Sequence, residues 1–102
     1  MLKIIDGKRY NTATATLIGE HESPLPQTDF GYFSEALYVT KKGTYFLAGA
    51  GHARTHWSSS LGNDTYGWGE GIRILDASEA LDWCEQFGVE PDVIEAHFDI
   101  GQ

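Results

Sequence analysis

His52 and His56 stand four residues apart, a spacing that on a helix sets two imidazoles on one face, as a zinc site requires. A protease site of that kind also places Glu directly after the first His, and position 53 is Ala. His21 or His97 would have to supply a third ligand, and no spacing demands either. Surface or loop positions are the ordinary account of these histidines. Cys84 falls on the apolar stripe of a helix and among carboxylates, which oppose thiolate formation, so it reads as a packed core thiol. Ser58-Ser59-Ser60 lacks the Gly-x-Ser-x-Gly elbow of acyl transfer. Gly67-Trp68-Gly69-Glu70-Gly71 has glycines at dinucleotide-like intervals, but it opens no helix, and Glu70 would repel a pyrophosphate. No catalytic residue, metal or cofactor is expected.

Binding chemistry is better represented. Trp57, Tyr66 and Trp68 lie in or beside a glycine-rich stretch, residues 49 to 71. They either roof a small core or anchor a partner, the role loop aromatics take in many interfaces. Charge is uneven along the 102 residues. Up to Gly69 six acids face six bases; from Glu70 onward nine acids face Arg73 alone, so that last third carries the whole net charge of −8. Helical acids keep a small protein soluble, and they also compete for surfaces built to hold phosphates. Direct binding of DNA or RNA through that segment is disfavoured, since it adds repulsion where affinity normally comes from counterion release. A single cysteine excludes an internal disulfide, and no run approaches 18 apolar residues, so a membrane partner is not expected and a reducing cytoplasm is the simplest location.

The elements that must position these groups follow from punctuation and periodicity. Leu2 to Ile5, Asp6-Gly7 and Lys8 to Tyr10 form a hairpin. A strand is expected over Ala15 to Glu22, ended by Ser23-Pro24-Leu25-Pro26. Glu35 to Thr40 and Thr44 to Ala48 make a second hairpin through Lys41-Lys42-Gly43, a solvated tip. Leu37 and Val39 share one face and Tyr38 takes the other; Tyr45 and Leu47 oppose Phe46. A short helix is expected at Ala53 to Leu61, then loop, then a strand at Ile72 to Leu75. Asp76 and Glu79 form a capping box for a helix burying Ala77, Ala80, Leu81, Cys84 and Phe87, with Gly88 as its stop. Pro91 opens a second helix with Val93, Ile94, His97 and Phe98 inward. Hairpins first and helices last predict one α+β domain over 1–102, a small antiparallel sheet packed against an acidic C-terminal helix and a second short helix.

Ile5-Asp6-Gly7-Lys8-Arg9-Tyr10-Asn11-Thr12-Ala13-Thr14-Ala15, Leu37 to Leu47, Gly62-Asn63, and Ile74-Leu75-Asp76 ahead of Glu79-Ala80-Leu81-Asp82-Trp83 together resemble small acidic proteins carried by bacteria, phages and prophages. Compact acidic proteins of that setting are similar to anti-CRISPR and other anti-defence inhibitors. The resemblance implies a non-enzymatic viral protein that occupies the basic channel of a nucleic-acid-binding effector, such as a Cas protein. Glu79, Asp82, Glu85, Glu90, Asp92 and Glu95 would supply a DNA-mimicking face, with Trp57, Tyr66 and Trp68 as anchors. A small metal protein or enzyme using His52 and His56, or a self-associating homodimer, are the competing expectations.

Overall fold

An Asp-Gly pair opens the fold. The computed structural model describes residues 1–100, and in it Asp6 and Gly7 both take positive φ (51° and 76°), the mirror-image turn that matches strand twist. It joins β1 (Leu2–Ile5) to β2 (Lys8–Asn11), with Ile5 opposite Lys8. β3 (Thr16–Glu22), β4 (Phe33–Val39), β5 (Tyr45–Gly51) and β8 (Gly69–Leu75) then build the main sheet, antiparallel throughout, in the order β3-β4-β5-β8. A bulge at Ile18 lets Leu17 face Tyr38 and Gly19 face Leu37. Between β5 and β8 lies a third hairpin, β6 (Ser59–Gly62) and β7 (Thr65–Gly67). The helices α1 (Ala77–Gln86) and α2 (Pro91–His97) close the chain.

The period-2 pattern sorts the sheet's two faces as expected. Leu37 and Leu47, opposite each other in register, point to the helices, and with Ile18, Trp57, Leu75, Ala80, Trp83 and Cys84 they form the core. Phe46 points the other way and is fully buried there under Tyr10 of β2, with Tyr38 stacked beside it at 5.3 Å. The N-terminal hairpin therefore roofs that part of the second face. α1 lies over β5 and β8, and α2 leans on β3. Tyr45 ties α2 down: its hydroxyl donates to the His97 carbonyl, and its ring stacks on Phe98 at 4.8 Å. The architecture is α+β, antiparallel sheets with two C-terminal helices packed against them. Among the described residues no helix is long and apolar enough to cross a membrane.

The expected helix at Ala53 to Leu61 does not form. Hydroxyl side chains capture the backbone first: Thr55 Oγ1 donates to the His52 carbonyl at 2.9 Å, and the Trp57 and Ser58 amides donate back to Thr55. The segment becomes linked turns leading into β6, and Asn63 and Asp64, both at positive φ, make the hairpin turn. The glycine-rich stretch is likewise mostly strand. Gly49 pairs with Gly71 and Gly51 with Gly69, so β8 starts three residues before the expected Ile72. Their purpose is close approach: a Cβ at Gly49 would sit 2.2 Å from Trp57 Cε2. In α1, Ala77 is exposed, Leu81 is half-buried, and Trp83 joins Ala80 and Cys84 inside.

Candidate partner-binding surface

The acidic segment is organised by the ends of its helices. Asp76 caps α1, accepting from the Glu79 amide at 2.8 Å, while Glu79 Oε1 accepts from the Asp76 amide at 3.0 Å. Gly88 at φ 70° stops the helix, and the Val89 amide returns to the Cys84 carbonyl at 3.0 Å, a Schellman closure. Pro91 then fits the first turn of α2, whose Val93, Ile94, His97 and Phe98 are half-buried as expected. With these inner faces committed, Glu79, Asp82, Glu85, Glu90, Asp92 and Glu95 all stand exposed. Glu70, Asp76 and Asp99 are exposed too. Among the described residues none of the nine forms an ion pair, and Arg73, the one base of the segment, pairs with none of them. Glu85 lies in the last turn of α1, where the helix dipole disfavours negative charge and no base compensates.

The three aromatics divide. Trp57 is 7% exposed and belongs to the core, so it roofs the fold and presents no anchor. Tyr66 (53%) and Trp68 (45%) remain exposed on and just after β7, and Leu61 of β6, 68% exposed, joins them. β6 is exposed along its whole length. Trp68 is held edge-on by Tyr32 and by His52, with centroids at 6.1 and 4.7 Å. Phe30 is a further exposed ring, and its carbonyl accepts from the Arg54 amide.

Trp57 is drawn inward by a residue that the sequence reading passed over. Glu35 sits on the helix-facing side of β4, its side chain 4% exposed. Oε1 accepts from Trp83 Nε1 at 2.9 Å, and Oε2 accepts from Trp57 Nε1 at 2.7 Å. Indoles can only donate, so both oxygens act as acceptors. His56 Nε2 lies 2.6 Å from Oε2 with one proton between them, which leaves Nδ1 as the open nitrogen of a half-exposed ring. A buried carboxylate is tolerable only when so surrounded. The signal for it was present: in Phe33, Glu35, Leu37 and Val39, every second residue of β4, Glu35 alone is polar.

Beside this cluster a groove of about 440 Å³ is lined by His56, Phe33, Phe87, Arg73, Glu79 and Asp82 among others. It offers an imidazole and carboxylates for proton transfer, and no hydroxyl or thiol nucleophile lines it. The four histidines are dispersed. His52 packs on Trp68, His56 bonds Glu35, His21 stacks on Phe87 at 4.0 Å, and His97 accepts from Tyr45 through its carbonyl. No group of three metal-ligating side chains occurs among the described residues. Cys84 is buried, and its thiol pKa is pushed up, first by that burial and then by the neighbouring Glu85. Comparison with known proteins finds no matching family model, no matching curated protein and no matching solved structure.

Proposed function

We propose that this chain is a non-enzymatic binding protein that blocks a basic, nucleic-acid-handling protein, an anti-defence inhibitor of the anti-CRISPR kind. One observation carries the reading: nine carboxylates between Glu70 and Asp99 are exposed, and among the described residues no cation pairs with any of them. A surface evolved only for solubility intersperses both signs. Here Glu79, Asp82 and Glu85 follow one another along α1 without an intervening base, and Glu85 opposes the helix dipole. That arrangement costs the helix stability and creates a field that steers association with a cationic partner. The β6–β7 hairpin, with Leu61 and Tyr66 exposed and Trp68 just beyond, adds apolar contact area of the type that dominates interface energetics.

The test is competition with DNA for a purified guide-loaded CRISPR effector. The chain should displace DNA, and raising salt from 50 to 500 mM should weaken that displacement at least about tenfold, because surface charge attraction is screened. Asp82→Lys, Glu85→Lys and Glu95→Lys combined should abolish it. Displacement insensitive to both salt and charge reversal would overturn the proposal, as would binding to neutral control proteins equal to that for basic ones.

A further inference from the structure

Four of the seven bases meet in one place. Lys8 and Arg9 of β2 and Lys41 and Lys42 of the β4–β5 tip line a groove of about 710 Å³, larger than the one above Glu35. Each pair alone is an ordinary solvated turn. Together, from chain positions more than thirty residues apart, they bring four cations to the lining of one groove. Thr14, Thr40, Thr44 and Asn11 line the same groove, and no carboxylate lines it at all. The Asn11 and Thr40 side chains use their oxygens to accept from the Ala13 and Thr44 amides, which leaves the Asn11 amide protons and the Thr40 hydroxyl proton free to donate. In a chain of net charge −8 acids were abundant enough to neutralise this groove, yet among the described residues no ion pair occurs there. Gathering four like charges beside unspent donors costs stability unless an anion enters.

We infer that this groove binds a compact ligand carrying adjacent phosphate groups. Phosphate oxygens suit both ammonium and guanidinium donors and hydroxyls. Four cations lining one groove suit a ligand that carries several adjacent phosphates better than one that carries a single phosphate. A nucleic-acid strand fits less well. The one aromatic residue of the lining, Tyr10, is buried against Phe46, so no exposed ring is available for base stacking. The acidic C-terminal third repels an extended polyanion while leaving a small one able to enter. The site shares no residue with the acidic helices or with the β6–β7 hairpin, so it stands or falls independently of the proposed inhibitor role.

Calorimetric titration of the full chain with inorganic tripolyphosphate at low ionic strength tests it. Saturable one-to-one binding is expected, at least tenfold tighter than for orthophosphate. Lys41→Ala with Lys42→Ala should weaken it at least tenfold, as should Arg9→Ala. Ser78→Ala, at an exposed position on α1 that contributes nothing to the groove lining, should change it less than twofold. The lysines are exposed, and an unchanged thermal melt of the double variant shows that the loss is not one of folding. An absence of saturable heat, or binding unaffected by the lysine substitutions, overturns the inference. So does an oligothymidylate that binds more tightly than tripolyphosphate through the same residues, which would assign the groove to a nucleic-acid backbone.

Discussion

Glu35 and the acids of the two helices carry the same functional group under opposite conditions. Glu35 is buried and accepts from two indoles while sharing a proton with an imidazole; the helical acids are exposed, and among the described residues none of them has a cationic partner. Position in the chain explains the contrast. Glu35 stands where the strand's alternation points inward, so folding must supply donors for it before the core can close. Apart from Glu79, which closes the capping box with Asp76, the helical acids lie outside the apolar stripe set by Ala80, Trp83 and Cys84, and folding assigns their side chains no partner among the described residues. The same side chain is therefore architectural in one place and free for recognition in the other. Substitution should separate the two roles: changes at Glu35 should lower stability, and charge reversal at Asp82, Glu85 and Glu95 should weaken binding without lowering stability.

The largest effect should come from Glu35→Leu. It orphans two buried indole donors at once, and about 2–5 kcal/mol of unfolding free energy should disappear in urea titrations. Trp83→Phe leaves Oε1 of the buried carboxylate without its donor and should cost about 1–3 kcal/mol. If Glu35→Leu proved as stable as the parent, the carboxylate would be no keystone and the comparison would fail. Gly49→Ala follows, because its methyl group would overlap the Trp57 ring. About 1–3 kcal/mol should be lost to overpacking, and Trp57 should become exposed to solvent. Glu85→Lys should move the opposite way. Placing a base in the last turn of α1 should stabilise the fold by about 0.3–1 kcal/mol while weakening partner binding, a combination that a merely structural acid would not produce.

Smallest is the alkaline limb. Burial raises the pKa of both Cys84 and Tyr45, with Glu85 adding to the first and Cys84 to the second. Both groups are therefore more easily ionised in the unfolded chain. Their contribution to stability is complete below the unfolded-state values and is lost as pH rises through the folded ones, so the melting temperature should decline above about pH 9. Glu85→Lys removes the negative neighbour and should move the thiol's titration downward, which thiol reactivity against pH would reveal.

Much of the fold was legible wherever a local rule decided the outcome. Asp6-Gly7, the Asp76–Glu79 box, Gly88 and Pro91 each determine a backbone state through their own chemistry, and each does so here. The segment from Gly49 to Gly71 was not legible in this way, because its conformation depends on Trp57 reaching Glu35 across the sheet. A helix reading of Ala53 to Leu61 counts residues along the chain and has no term for a carboxylate on another strand. The exposed acids were readable as a surplus of charge, and their freedom from pairing follows from there being so little cation nearby. The convergence of Lys8 and Arg9 with Lys41 and Lys42 was invisible, because it arises only when β2 and the β4–β5 tip are brought side by side.

The division among the three tryptophans gives the protein a built-in optical assay. Trp57 and Trp83 are buried and bonded to one carboxylate, so the position of their emission reports whether the sheet and α1 remain together. Trp68 alone is open to a neutral quencher such as acrylamide. Protection of that single indole on adding a partner, with no spectral shift from the other two, would record docking at the hairpin separately from any change in folding, in one cuvette and without a label.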